Sequence, residues 1–306
     1  MPDKVVIRVD HLRKVYGETV AVADVSFEIY EGEIFGVVGP NGAGKTTTTE
    51  CLEGLRNPDG GSIEVLGMNP LNDGYALRER IGVQLQTSAV QERIKVGEVL
   101  DLFASFYPNA VDPEELLKHM DLTEKRHAKF GKLSGGQKQR LFIALALINN
   151  PELIFLDELT TGLDPQARHA MWDMVRGVRE RGKTVFLTTH FMEEAERLCD
   201  RVAIMDHGRI VALDSPASLI RSLSAENRVV FTVEGPFDPQ PFSRLSNVTR
   251  VESNGERIVV HGKSNHVVVD VVTQLVSNGH RFRDLRTEQP SLEDVFLALT
   301  GREMRE

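Results

Sequence analysis

Apolar and polar residues alternate at the start of the chain. Val5, Ile7 and Val9 recur at every second position, broken only by the apolar Val6, and the alternation returns from Val20 to Ile29, which predicts two early strands with one face toward solvent. Together they read as an antiparallel flap. The texture then changes to short unbroken apolar runs at Glu33 to Val38, Arg80 to Leu85, Leu153 to Leu156 and Thr184 to Leu187. Such runs fit strands covered on both faces, as in the core of a parallel sheet. Helices are expected between them at Lys45 to Leu55, Val96 to Phe106, Pro113 to Met120, Gly135 to Ile148 behind a Ser134 cap, and Pro165 to Arg181. Val202 to Met205 and Arg209 to Leu213 close the unit as a hairpin around His207-Gly208. Strands alternating with helices predict an α/β fold with a mostly parallel core sheet. This domain is expected to span residues 1–220, with a helical subdomain over about 87–150.

The tail, residues 221–306, has a different rhythm. Strands are predicted at Arg228 to Val233, Val248 to Glu252, Arg257 to Val260 and Arg281 to Thr287, with helices at His266 to Val276 and Leu292 to Leu299. The result is a small α+β domain. Asn254-Gly255 between two alternating runs predicts a hairpin turn, because both residues tolerate positive φ.

Composition narrows the function classes. A length of 306 residues with 41% hydrophobic content suits a globular chain of about two domains. The most apolar stretches fall short of the roughly 18 apolar residues a membrane span needs, so a transport role would require a pore from another polypeptide. The N-terminus, Met1 to Lys4, lacks the basic and apolar regions of a secretory signal, which leads to an expectation of cytosolic residence. A net charge of −9 argues against a broad nucleic-acid footprint, and no nucleic-acid partner is expected. Cys51 and Cys199 have no metal-ligand spacing around them and read as reduced, buried thiols.

The chemistry concentrates at strand ends. Gly39-Pro40-Asn41-Gly42-Ala43-Gly44-Lys45-Thr46 matches the Walker A pattern between a strand and a helix. Its glycines permit a loop whose N–H groups turn toward phosphate at a helix N-terminus. Lys45 would reach the β- and γ-phosphates, the Thr46 hydroxyl would ligate Mg²⁺, and Thr47 would touch the α-phosphate. The apolar strand Leu153 to Leu156 ends in Asp157-Glu158, where an open α/β sheet binds its ligands. Asp157 is expected in the Mg²⁺ shell and Glu158 as the general base on the attacking water.

Downstream of the Walker A loop stands Leu133-Ser134-Gly135-Gly136-Gln137, and the two together resemble an ABC-type ATPase over the first 220 residues. That resemblance implies ATP with Mg²⁺ as the cofactor. It also implies that His190 is the switch histidine at the γ-phosphate, that Tyr16 stacks on adenine, and that Gln86, preferred to Gln84, touches Mg²⁺ or the water. By the same resemblance Ser134, Gly135, Gly136 and Gln137 cover the nucleotide held by an opposing subunit, and Asp164 crosses the same interface. The implied partners are a second copy or a paralogue and a separate transmembrane permease, with the chain peripheral on the cytoplasmic face of the membrane.

Pro290-Ser291-Leu292-Glu293-Asp294-Val295-Phe296-Leu297-Ala298-Leu299-Thr300-Gly301 resembles the tail of the daunorubicin-resistance type of drug-export ATPase, which implies export rather than import. A ribosome- or DNA-acting ABC protein would carry two nucleotide domains or an inserted coiled coil, and neither is present. Leu159 departs from the family pattern, where proline is common, and bears on how the backbone aims Glu158. Leu145 stands where arginine is frequent in the signature helix.

Overall fold

The computed structural model describes residues 4–84, 90–223, 227–235, 237–262 and 266–301. They fall into two compact units, one running through Pro216 and the other beginning at Ala217. In the first, nine strands form one sheet: β1 (Val5–Tyr16), β2 (Thr19–Tyr30), β3 (Ile34–Val38), β4 (Gly60–Val65), β5 (Ile81–Gln84), β6 (Leu153–Asp157), β7 (Thr184–Thr189), β8 (Arg201–Asp206) and β9 (Arg209–Asp214). Their spatial order is β4-β1-β2-β9-β8-β3-β7-β6-β5. Strands β8, β3, β7, β6 and β5 run parallel as a core. The predicted α/β class and the parallel core are what the fold shows.

The flap is the edge of this same sheet. β1 pairs antiparallel with β2, and β2 joins the rest through the single pairing Asp24↔Arg209. The flap also holds a strand that the alternation did not reveal, β4, paired with the other side of β1. The Gly60-Gly61 pair and three exposed or half-buried residues at its start hide its strand character.

Among the described residues seven α-helices accompany the sheet, α1 (Lys45–Leu52), α2 (Gly74–Arg78), α3 (Val96–Ala104), α4 (Pro113–His119), α5 (Gly135–Leu147), α6 (Pro165–Glu180) and α7 (Met192–Leu198), and α8 (Pro216–Ser222) falls almost wholly in the second unit. The expected boundary at 220 falls inside α8. Among the described residues no helix is long and apolar enough to cross a membrane.

An aromatic ladder fixes the register of the core. Phe35 on β3 pairs with Phe186 on β7, and Phe186 pairs with Phe155 on β6. The rings lie 6.3 and 5.4 Å apart, and all are fully buried. Burying each ring contributes about 2–3 kcal/mol, so a register slip between these strands would forfeit several kcal/mol. Three or four residues beyond the ladder, at the carboxyl ends of the same strands, come Gly39, Glu158 and His190. Core packing thereby sets the level at which the chemistry sits.

The second unit is an antiparallel sheet of β10 (Asn227–Val233), β11 (Val248–Asn254), β12 (Arg257–Gly262) and β13 (Phe282–Glu288), in the order β11-β12-β10-β13. Helices α9 (Gln240–Ser243), α10 (Val267–Ser277) and α11 (Leu292–Thr300) complete it. Val229, Phe231, Val233, Ile258 and Val260 pack with Phe242, Val267, Val271 and Leu275 as its core. The hairpin turn differs from the expected one by a residue. Asn254 pairs with Arg257, so Gly255-Glu256 form the two-residue turn, and only Gly255 takes positive φ, at 64°. A glycine first in the loop matches a type II′ turn, which needs no left-handed asparagine.

Candidate functional site

The loop Gly39–Gly44 joins β3 to α1, and its path depends on Gly44. Gly44 has φ 103°, and a Cβ there would lie 2.4 Å from the Ala21 carbonyl oxygen, so no other residue fits without moving the flap. A Cβ on Gly39 would likewise meet the Met205 carbonyl oxygen at 2.1 Å. Asn41 and Gly42 are exposed, Pro40, Thr46 and Thr47 are half-buried, and Ala43 is buried. α1 carries no acidic residue in its first turn, which leaves the positive end of its dipole unopposed for an anion. Thr48 and Thr49 donate back to the carbonyls of Gly44 and Lys45, satisfying two buried hydroxyls where apolar residues are more usual.

Lys45 is 5% exposed and points into its own loop. Its ammonium donates to Gly39 O at 2.8 Å and Pro40 O at 3.3 Å and lies 3.9 Å from Glu158 Oε1. Burial lowers its pKa from the usual lysine value, while the charges of Glu158 and Asp157 oppose that shift. Asp157 ends β6 with its carboxylate buried, accepting a short hydrogen bond from the Thr188 hydroxyl of β7. Burial raises its pKa, the Thr188 bond lowers it, and neighbouring Glu158 raises it again.

Glu158 follows at φ 49°, a left-handed backbone that costs a non-glycine residue about 1–2 kcal/mol. Its N–H donates to the Thr188 carbonyl at 3.0 Å, and Leu159 behind it is buried at 2% exposure. The Glu158 carboxylate lies between the Lys45 ammonium and the His190 ring, whose Nδ1 is 3.5 Å from Oε1. Residues 45, 157, 158 and 190, distant in sequence, thus meet at the carboxyl ends of three adjacent strands.

The signature residues and Asp164 are held by helix caps. Ser134 caps α5 through a reciprocal box: its hydroxyl accepts from Gln137 N at 3.3 Å, and the Gln137 side chain accepts from Ser134 N at 3.0 Å. Asp164 caps α6 by accepting from Ala167 N at 2.9 Å. A Cβ on Gly135 would lie 3.7 Å from Leu163, and one on Gly136 would lie 3.6 Å from Ala167. The two caps therefore adjoin, and Ser134, Gly135 and Asp164 are all exposed. Tyr16 ends β1 at 40% exposure, with the Lys14 ammonium 5.4 Å and the Arg56 guanidinium 5.8 Å from its ring centre. Gln84 ends β5, buried and in register with Leu156, while Gln86 lies outside the described residues.

Glu53 and Glu194 are among the buried carboxylates that belong to no sequence motif. Glu53, 4% exposed, lines a cleft of about 270 Å³ with Leu55, Phe103 and Tyr107. Burial pushes its pKa up to about 8, with Asp157 and Glu50 adding to the rise. Glu194 on α7, 1% exposed, accepts from Trp172 Nε1 at 3.0 Å. An acidic residue in a helix reads as solvated from sequence, and only tertiary packing buries it.

A loop of this geometry between a parallel strand and a helix, faced by an aspartate at the neighbouring strand end, defines a P-loop nucleotide-binding protein. Known proteins narrow the class further. Residues 22–161 match the ABC transporter family model. Nod factor export ATP-binding protein I of Rhizobium sp. (strain N33) is 41% identical, covering 98% of this chain and 99% of that one. Its counterpart in Ralstonia nicotianae is 39% identical over 98% and 95%. Among solved structures, an ATP-binding subunit of an ABC transporter superposes at TM-score 0.64 with 29% identity, covering 71% of this chain and 92% of that one. A dimeric bacterial ABC transporter cassette gives TM-score 0.61 at 30% identity, covering 68% and 98%. The chain belongs to the ABC transporter ATP-binding family, and its activity is the hydrolysis of ATP for transport.

Proposed function

We propose that this chain is the ATP-hydrolysing half of an exporter, closing on ATP against a second nucleotide-binding subunit and driving a separate membrane permease. The observation that carries the reading is the division of the motifs between two places. Lys45, Asp157, Glu158 and His190 gather at the sheet edge, while Ser134, Gly135 and Asp164 form an accessible face whose described hydrogen bonds stay within their own turns. Polar groups displayed at capped helix ends on a surface are suited to a ligand that arrives from outside the chain.

In this reading Lys45 and the loop N–H groups from Gly39 to Thr47 hold the triphosphate. Tyr16 lies under the adenine, and the pairing of Ser134, Gly135, Gly136, Gln137 and Asp164 with the opposing subunit covers the γ-phosphate. Glu158 takes the proton of the attacking water, and His190 beside it holds that water in line. Phosphoryl transfer leaves little covalent work, so most of the acceleration comes from positioning.

Mg²⁺ suits the oxygen donors present. Among the described residues no group of three or more acidic, histidine or cysteine side chains forms a metal site. A magnesium held partly by phosphates needs only one or two carboxylates, and Asp157 with the Thr46 hydroxyl supplies that set. Gln86 remains our proposed third contact. Bound there, the ion would neutralise charge developing on the phosphates.

Export, rather than import, follows the two Nod factor export relatives and the Pro290 to Gly301 segment. Those relatives are named for Nod factor and not for drugs, so we carry over the direction of transport and leave amphipathic compounds as the proposed cargo class. Membrane location is then peripheral, on the cytoplasmic side, through the permease. The test is reconstitution with a candidate membrane permease partner. ATP-dependent accumulation in inverted vesicles supports export, and accumulation only in right-side-out vesicles contradicts it.

A further inference from the structure

Glu194 is a buried carboxylate to which the hydrolytic scheme gives no task. Several segments of the chain converge on it. From α6, Trp172 donates its indole N–H at 3.0 Å, and Arg168 contributes its charge. Burial raises its pKa, a rise opposed by the nearby hydroxyls of Thr189, which precedes His190, and Thr160, two residues past Glu158, although Thr160 Oγ1 and Glu194 Oε2 make no hydrogen bond among the described residues. The same α6 begins at the Asp164 cap on the signature face. Further contacts reinforce the junction: the Arg168 guanidinium lies 4.2 Å from the centre of the Phe191 ring, and Phe191 packs 4.1 Å from His190.

Resting on the two-subunit reading above, we propose that Glu194 is a positioning residue of the hydrolytic site, tying the helix behind Asp164 to the segment that carries His190. A shift of α6 when the opposing subunit docks would then move His190 directly. Helices are stiff over the two turns from Asp164 to Trp172, so displacement at the cap reaches the indole with little loss. Near the reaction such displacement matters, since about 1 Å of misplacement can cost a hundredfold in rate.

Trp172 is the only tryptophan in the sequence and reports on its own contact. The test uses the full chain and four variants: Glu194→Ala, Glu194→Gln, Trp172→Phe and the Glu194→Ala/Trp172→Phe double. Glu194→Ala should lower kcat at least about tenfold while KM for ATP stays within about twofold, because the Lys45 loop is untouched. Glu194→Gln, which still accepts from the indole, should recover most of the rate. Trp172→Phe keeps the ring but removes the donor, and the double variant should be no slower than Glu194→Ala alone, as expected of two members of one link. In the unsubstituted chain, Trp172 emission should shift on binding a non-hydrolysable ATP analogue, and Glu194→Ala should abolish the shift. Unchanged kcat in Glu194→Ala, multiplicative losses in the double variant, or a fall of kcat accompanied by lost ATP affinity would each overturn the proposal. Absence of ATP-induced pairing in the unsubstituted chain would instead count against the two-subunit reading on which it rests.

Discussion

The sheet-edge cluster and the signature face differ in almost every physical respect. Lys45 and Asp157 are buried, Glu158 nearly so, all held by strands that an aromatic ladder locks in register, and the Glu158 carboxylate lies within 3.9 Å of both Lys45 and His190. Ser134, Gly135 and Asp164 are accessible to solvent and fixed by local caps on α5 and α6. Charges buried together are costly unless a ligand or partner offsets them, whereas capped helix ends at a surface cost little to display. On the two-subunit reading proposed above, the chain would commit its stability to one half of a catalytic arrangement and leave the other half ready for a neighbour.

The largest expected effect lies in the buried half. Lys45→Ala removes an ammonium that sits inside the loop and 3.9 Å from Glu158, and ATP affinity measured by calorimetry should fall at least about a hundredfold. Unaltered affinity would break the assignment of the loop. Glu158→Gln keeps the shape and should leave ATP binding intact while slowing hydrolysis by about 10²–10⁴. Light scattering should then show a dimer that persists with ATP, and a monomer under those conditions counts against the role of Glu158.

Stability and catalysis separate at Glu53. It titrates at about 8 in the folded protein, above the ordinary glutamate value of about 4.3, so its protonated form favours folding. That stability is full below the unfolded pKa and declines as pH rises toward 8, by about 1.4 kcal/mol per unit. Glu53→Gln should remove the decline, and the Tm difference between variant and parent should grow from pH 5 to pH 8. Parallel Tm profiles would show that the buried carboxyl is offset by something else. The smallest effect belongs to the accessible half: Ser134→Ala should cost about 1 kcal/mol of stability by denaturant titration, the usual worth of a cap. A loss several times larger would mean that the signature turn is structurally integral and not merely displayed.

Much of this contrast is legible in the sequence, and the limits have physical causes. Short apolar runs mark β3, β6 and β7 because strands covered on both faces need no polar side. Their carboxyl ends then locate Lys45, Asp157, Glu158 and His190 through local patterns alone. Pairing partners are another matter: nothing local states that Phe35, Phe186 and Phe155 stand abreast, which is what brings Glu158 to His190. Glu53 and Glu194 are invisible in the sequence for the same reason, since their burial comes from residues far along the chain. The left-handed backbone at Glu158, in a position followed by Leu159 rather than the usual proline, also emerges only in three dimensions.

The central claim, that each catalytic site is shared between two chains, is tested most directly by mixing two defective variants. Lys45→Ala leaves an intact signature face, and Ser134→Arg leaves an intact sheet-edge cluster. Each alone should hydrolyse ATP at background rate, and a mixed pair should restore hydrolysis at the one site built from both intact halves. Recovery on mixing is the expected result; a mixture as inactive as its components, with pairing verified by cross-linking, would contradict the shared site.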